Sequence, residues 1–318
     1  MEFSDLKVND PQTQWDRFDH LLWYHKDLGI WLDVSRMNLT AENFNSIEPK
    51  IQLAYKSMSS LEGGSIANKD ENRQVGHYWL RNPSLAPDQD ISRHIDSEIN
   101  SIISFGENII KGKITNINNK KYTDVLWIGI GGSGLGPKLL VNSLQELEKG
   151  LEFHFIDNID PKGINETLTK IRSKLATTLF IIVSKSGGTP EPRLGLELTR
   201  LFNEKYSSNW TNNAVAVTML GSELDKLAQR EDWLRRFDLP DWVGGRTSIC
   251  GAVGLLPAAL IGINPKEFLS GAALMDEATR NSSTLNNPAS LLAISWYFAG
   301  NGKGLKDMVT LPYSDRLE

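Results

Sequence analysis

Residues 125–134 read VLWIGIGGSG, a short apolar run that leads directly into a glycine-rich loop. The apolar part, 125–130, predicts a buried strand, and 136–147 has the pattern of a helix. Glycines tolerate positive φ angles and let a ligand approach the backbone closely. A helix that starts just behind such a loop points free N–H groups and its positive dipole end at the same place. The stretch therefore predicts an anion site for a phosphate, or for a sugar beside one.

Short apolar runs alternate with helical stretches from residue 123 onward. We predict strands at 125–130, 153–156, 179–183 and 214–219, with helices between them at 136–147, 161–173 and 190–202. This alternation is typical of βαβ units and a parallel sheet, so the predicted class is α/β. Residues 1–112 show helical spacing and no strand pattern, whereas 308–312 predicts the first strand of a further unit.

A second polar stretch follows the third predicted strand, where residues 184–191 read SKSGGTPE. Its hydroxyl groups, and N–H groups at the start of a helix, can donate to phosphate oxygens. The loop suits one monoester phosphate, and it lacks the Gly-Lys-Ser/Thr ending of an NTPase P-loop. The alternative is a well-capped turn with Thr189 as N-cap, but a cap needs one hydroxyl and this stretch has three.

A third stretch, residues 242–248, reads WVGGRTS and presents Arg246 ahead of a predicted helix. A fixed guanidinium is suited to stabilising a developing oxyanion or enediolate. The alternative is an arginine that pairs with a surface carboxylate, which is the commoner case for arginines.

A dinucleotide site is the main competing interpretation of the first loop. Gly129, Gly131 and Gly134 satisfy the G-x-G-x-x-G pattern, and Asp157 ends the next predicted strand, where a ribose-binding acid would lie. Two features count against it: such fingerprints usually open a domain, and Gly132 with Ser133 offers contacts that a pyrophosphate turn does not need. Asp157 can also be read as part of a helix cap.

The composition is that of an ordinary globular protein of 318 residues with a net charge of -5. That charge argues against general binding to nucleic acid or to membrane surfaces. The single cysteine, Cys250, cannot form an internal disulfide, and the first residues lack a signal-peptide core, so we expect a cytoplasmic protein.

Taken together, the three stretches resemble the glucose-6-phosphate isomerase (phosphoglucose isomerase) family, which is built from sugar-isomerase (SIS) domains. Weaker matches are the pattern Asn68-x-x-Glu71-x-Arg73 and the residues 311–317, LPYSDRL. The resemblance implies a three-layer parallel-sheet SIS domain behind a helical N-terminal region, followed by the start of a second SIS domain. The domains expected from it are 1–120 (helical), 121–282 (first SIS domain) and 283–318 (linking helix and first strand of the second).

The resemblance also implies an activity, the interconversion of glucose 6-phosphate and fructose 6-phosphate through a cis-enediol(ate), without a metal or a redox cofactor. Gly132 and Ser133 would contact the sugar, and Arg246 would stabilise charge on the intermediate. The residues expected to hold the 6-phosphate are Ser184, Lys185, Ser186 and Thr189. The expected partners are the sugar phosphates and, at full length, a second copy of the protein.

The family's acid–base groups are expected to lie beyond this sequence. In the family a glutamate, a histidine and a lysine follow the segment that 311–317 resembles, and Glu318 is too close to Arg316 to be that glutamate. We therefore expect a C-terminally truncated isomerase that binds a sugar phosphate but is inactive alone. The alternatives left open are a non-catalytic SIS-domain sensor of sugar phosphates and, less favoured, an NAD-dependent dehydrogenase.

Overall fold

The computed structural model describes residues 10–145, 150–206 and 210–317. The helices are α1 Pro11–Leu21, α2 Ala41–Glu62, α3 Gln89–Ile110, α4 Gly132–Leu144, α5 Pro161–Ile171, α6 Pro190–Tyr206, α7 Glu223–Arg230, α8 Ala252–Leu260, α9 Pro265–Ala278 and α10 Pro288–Ala299. The strands are β1 Leu22–His25, β2 Ile30–Asp33, β3 Ile66–Asn68, β4 Arg73–Gln74, β5 Asp124–Ile128, β6 Glu152–Ile156, β7 Thr178–Val183, β8 Ala214–Thr218 and β9 Arg235–Asp238. None of the helices in these ranges is long and apolar enough to cross a membrane.

The five strands from β5 to β9 form one parallel sheet in the order β6-β5-β7-β8-β9. All four predicted strands of this sheet are present, which confirms the parallel α/β class. β9 was not predicted, because it is an edge strand with two exposed arginines and Phe237 as its one fully buried residue. An edge strand that faces water on one side lacks the continuous apolar run of a central strand.

Helices cover both faces of this sheet, which gives the predicted three layers. On one face, α5, α6 and α7 pack against alternate strand residues such as Ile128 and Ile182. On the other face, α4 and α8 pack together, with α3 against α8 and β9. Because β5, β7 and β8 are buried on both sides, they consist of nearly continuous apolar residues, and these apolar runs made the strands predictable from the sequence.

The N-terminal part of the chain is not purely helical, and the prediction for 1–112 was wrong on this point. Two short antiparallel hairpins, β1–β2 and β3–β4, interrupt the helices. Apolar residues in the first hairpin continue the spacing of α1 by chance, so a periodicity argument extended the helix too far. The hairpin strands have four residues or fewer, too few for a period of two to stand out.

Two compact units emerge from the described residues, and they cut across the three predicted domains. One combines Met1–Gly63 with Ser270–Leu311, and its core includes Trp23, Phe44 and Leu291. The other combines Gly64–Leu269 with Pro312–Glu318 and holds the parallel sheet. α3 belongs to the sheet unit, since it packs against α8. The domain limits 120/121 and 282/283 stay a prediction.

The predicted strand at 308–312 is absent from the structure. Residues 307–314 are exposed, and none of them lies in a strand or a helix. A strand is stable only when a neighbour pairs with its backbone N–H and C=O groups, and no described segment does so here.

Candidate functional site

The carboxyl ends of β5 and β7 form the point where the chain reverses direction across the sheet. The chain passes from β5 to β6 on one side, and β7 lies on the other side of β5. In open parallel sheets, ligands bind in the crevice at such a switch point. Ile128 pairs with Ile182, so the glycine-rich loop after β5 and the hydroxyl-rich loop after β7 start side by side. Both loops therefore open onto the same crevice.

The glycine-rich loop is shorter than predicted, because α4 begins at Gly132 and not at residue 136. Ser133 therefore lies in the first helical turn, and its hydroxyl has no hydrogen-bond partner among the described residues. The indole of Trp127 donates to the Ser133 carbonyl over 2.7 Å and fixes this turn to β5. The early start reflects tertiary packing that overrides the poor helix propensity of glycine.

The hydroxyl-rich loop is organised by its own serines. The Ser184 hydroxyl oxygen accepts the Gly187 N–H at 3.1 Å, and the Ser186 hydroxyl oxygen accepts the Gly188 N–H at 3.2 Å. Each hydroxyl acts as an acceptor in these bonds, so its proton remains able to donate. The Thr189 carbonyl accepts from Arg193 N, which places Thr189 at the start of α6 as the capping interpretation expects. Its hydroxyl, however, has no partner in the described part of the chain.

The segment that carries Arg246 contacts the glycine-rich loop directly. A Cβ atom added to Gly132 would lie 1.9 Å from the Gly245 carbonyl oxygen, so only a glycine fits at this contact. Arg246 follows in a 3-10 turn, Gly245–Cys250, and its side chain is exposed. No described carboxylate pairs with its guanidinium, contrary to the alternative of a surface ion pair. The guanidinium is thus available to an anion.

Lys185 connects the hydroxyl-rich loop to the same segment. Its Nζ donates to the carbonyl oxygens of Asp241 and Val243 over 2.5 and 2.9 Å. Burial, with a contribution from the positive charge of Arg73, lowers the pKa of Lys185. The structure therefore brings the three predicted stretches together, with Lys185 directed at the backbone before Arg246.

Asp157, the candidate ribose ligand of the dinucleotide alternative, is already engaged. Its carboxylate accepts from Lys138 Nζ on α4 at 3.0 Å. The neighbouring Asp160 caps α5 by accepting the Gly163 N–H, which confirms the cap in this stretch. These contacts give the Asp157 stretch a structural role.

The opposite, amino-terminal edge of the sheet holds a second cluster of ionisable groups. Asp124, Glu152 and His154 have potential metal-binding atoms within 4.8 Å of one another. However, Lys174 Nζ lies 3.0 Å from Asp124 and 2.9 Å from Glu152, so a lysine supplies the positive charge. The Asp124 side chain, which is 0% exposed, also accepts from His154 at 2.8 Å. The cluster is a closed ion-pair network.

Comparisons with known proteins agree on one family. The family model for phosphoglucose isomerase matches residues 33–318. A glucose-6-phosphate isomerase of Prochlorococcus marinus is 58% identical over all 318 residues, which cover 60% of that protein. One from Synechococcus sp. (strain CC9902) is 56% identical over the whole chain, again with 60% of its own length covered.

The chain belongs to the phosphoglucose isomerase family. The crystal structure of a glucose-6-phosphate isomerase from Chlamydia trachomatis has the same fold, with a TM-score of 0.79 at 24% identity. That match covers 96% of this chain and 58% of the other. This phosphoglucose isomerase family chain thus spans about three fifths of the length of the curated relatives it matches.

Some contacts that shape the site in this phosphoglucose isomerase family chain were not predicted. The sequence contained a hint of the Gly132–Gly245 contact, because each residue belongs to a Gly-Gly pair in a stretch that predicts an anion site. The hydrogen bonds from Lys185 to Asp241 and Val243 could not be predicted from the sequence, since any backbone carbonyl can accept from a lysine.

The weak match at 68–73 was assigned to a helical region, yet it forms the β3–β4 hairpin, in which Asn68 and Glu71 exchange two hydrogen bonds. Glu318 and residue 147, the predicted end of α4, lie outside the described residues.

Proposed function

We propose that the crevice at the carboxyl ends of β5 and β7 binds a sugar 6-phosphate. One observation carries the proposal: the loops that hold the partnerless Ser133 and Thr189 hydroxyls both contact the segment of Arg246, whose exposed guanidinium has no described partner. These donors are in reach of solvent and are free to donate to a bound anion. Membership of the phosphoglucose isomerase family supports the choice of ligand.

The proposed roles follow the chemistry of each loop. Ser184, Ser186 and Thr189 hold the phosphate, where charge-assisted hydrogen bonds are short and strong, and Lys185 belongs to the same loop. Gly132 and Ser133 contact the sugar, the glycine because its backbone can be approached closely. Arg246 faces the reacting carbons and stabilises the negative charge of a cis-enediol(ate), since preorganised donors act best where charge develops.

In the whole protein, we propose, these groups serve the interconversion of glucose 6-phosphate and fructose 6-phosphate. None of the seven residues is a general base, so their share in the reaction is binding and charge stabilisation. A cytoplasmic location and a homodimer at full length belong to the same proposal. Light scattering of the whole protein checks the dimer, which is contradicted by a monomeric mass at micromolar concentration.

Calorimetric titration of the 318-residue chain tests the ligand. We expect binding of fructose 6-phosphate and of an aldonate phosphate, a sugar acid phosphate whose carboxylate mimics the enediolate. Ser186→Ala should weaken both by roughly tenfold, the value of one hydrogen bond to a charged group. Ser173→Ala, at an exposed serine in the turn before β7, is the matched control and should change neither.

The same titration separates the alternatives. An isomerase site should bind the aldonate phosphate more tightly than fructose 6-phosphate, because catalysts are complementary to the transition state. A sensor of sugar phosphates would show the reverse order. Binding of NAD with no binding of either sugar phosphate would favour the dehydrogenase and contradict the proposal.

A further inference from the structure

Lys185 has an unexpected direction for a lysine in a phosphate-binding loop. It follows β7 directly and stands next to Ser184, so a contact between its ammonium group and the phosphate is the simplest expectation. Yet its Nζ donates to two backbone carbonyls, those of Asp241 and Val243. An ammonium group has three donors, and two of them are committed to these oxygens.

The two carbonyls belong to a turn that is held from several sides. Between them lies Trp242, whose carbonyl accepts the Gly76 N–H at 3.0 Å. Within the turn, the Val243 N–H donates to the Pro240 carbonyl at 3.0 Å. The chain then continues directly into Gly244, Gly245 and Arg246, so the position of this turn determines where the arginine begins.

The backbone just before Arg246 is fixed by close packing. Gly245 lies against Gly132, with no room for a side chain between them, and this contact also reaches Arg246 N. Lys185 therefore holds the segment at Asp241 and Val243, and Gly132 packs against it at Gly245. Because Lys185 belongs to the hydroxyl-rich loop, its two bonds join that loop mechanically to the backbone that carries Arg246.

We propose that Lys185 is a positioning residue, which ties the Ser184–Thr189 loop to the Arg246 segment and acts on the substrate through Arg246, not through its own ammonium group. The inference deepens the proposed function and rests on it for the identity of the ligand. It implies that the phosphate loop and the charge-stabilising arginine are energetically coupled, and such coupling is reciprocal.

A double-mutant cycle in the 318-residue chain tests the coupling. Lys185→Met, Arg246→Ala and the double variant are titrated with inorganic phosphate and with the aldonate phosphate. We expect Lys185→Met to weaken the aldonate phosphate at least tenfold and inorganic phosphate less than threefold. When Arg246→Ala is added to Lys185→Met, the affinity for the aldonate phosphate should fall by less than a further threefold, because the guanidinium is already misplaced. Losses that multiply, or a tenfold loss of inorganic phosphate binding, overturn the proposal.

Hydrogen exchange gives a readout that does not depend on any ligand. The amides of Val243 and Thr247 are hydrogen-bonded, and the proposal expects them to exchange at least tenfold faster in Lys185→Met. Lys185→Arg can still donate to both carbonyls and should restore slow exchange. The Val217 amide in the central strand β8 is the control and should not change. Unchanged exchange at Val243 and Thr247 overturns the proposal.

The two readouts keep the two proposals apart. If the wild-type chain binds neither anion, the proposed function fails, and hydrogen exchange alone decides the role of Lys185. Should Lys185→Met unfold in circular dichroism, Lys185→Gln replaces it in both experiments, because its polar side chain carries no charge and is too short to donate to both carbonyls. Faster exchange at Val243 in that variant supports the proposal, and wild-type exchange contradicts it.

Discussion

The polar groups at the two ends of the parallel sheet differ in whether they have partners within the protein. At the amino end, Asp124 is fully buried and accepts from Thr123, His154 and Lys174, so its charge is compensated within the protein. At the carboxyl end, the Ser133 and Thr189 hydroxyls and the Arg246 guanidinium have no partners among the described residues. The first arrangement stabilises a fold, whereas the second leaves donors for a ligand. A cluster of charged or polar side chains therefore indicates a binding site only if some of its groups lack hydrogen-bond or ion-pair partners within the protein.

The largest expected effect breaks the closed network at the amino end. Asp124→Asn should lower the free energy of unfolding by about 3–5 kcal/mol, because the buried partner of His154 and Lys174 is lost. Urea denaturation measures the change. Glu152→Gln is the matched control: this carboxylate is half exposed, so the loss should stay below about 1 kcal/mol. Equal losses in the two variants would remove the distinction between a buried and an exposed partner.

A glycine substitution at the carboxyl end should have the next largest effect. Gly187 has a φ of +72°, and a Cβ there would lie 2.3 Å from the Leu224 nitrogen. Gly187→Ala should therefore cost about 2 kcal/mol of stability and disturb the hydroxyl-rich loop. Gly188→Ala is the control, since its nearest contact would be 3.8 Å away. Thermal unfolding and phosphate titration of both variants check this, and a harmless Gly187→Ala would contradict the packing.

Arg246 should show the reverse balance of Asp124, with an effect on binding and almost none on stability. Arg246→Ala should weaken the aldonate phosphate by about 1.5 kcal/mol, roughly tenfold. The free energy of unfolding should move by less than about 0.5 kcal/mol, because the side chain is exposed and unpaired. Arg93→Ala, at an arginine paired with Asp90 on α3, controls for lost surface charge. A marked loss of stability in Arg246→Ala would show that it has a structural partner after all.

The smallest expected effect is the pH dependence of the amino-end network. Burial opposes ionisation of Asp124, but hydrogen bonds from His154, Thr123 and Lys174 outweigh it and lower its pKa. The stability that this carboxylate contributes is thus present above the unfolded pKa of about 3.9 and is lost as the pH falls through the lower folded value. In urea denaturation at pH 6 and pH 3.5, the advantage of the wild type over Asp124→Asn should narrow at the lower pH. An advantage that grew on acidification would reverse this assignment.

The amino-acid sequence was enough to predict the parallel α/β class and to identify the three loops by their composition. Both are local properties: a strand that is buried on two faces has a continuous run of apolar residues, and the glycines and hydroxyl residues of a loop can be read directly from the sequence. The sequence did not predict the β1–β2 and β3–β4 hairpins or β9, because these strands are too short or too exposed to show a recognisable apolar pattern. The resemblance pointed to the same family that the whole-chain matches show.

Which of these loops meet, and what their side chains contact, depends on how the chain folds in three dimensions. The order of the strands, which sets β5 beside β7, depends on contacts between residues far apart in sequence, and no local pattern encodes it. The early start of α4 and the direction of Lys185 have the same origin. Gly132 is determined by the carbonyl of Gly245, and Lys185 by two backbone oxygens, which every residue possesses and which only the fold can bring within hydrogen-bond distance.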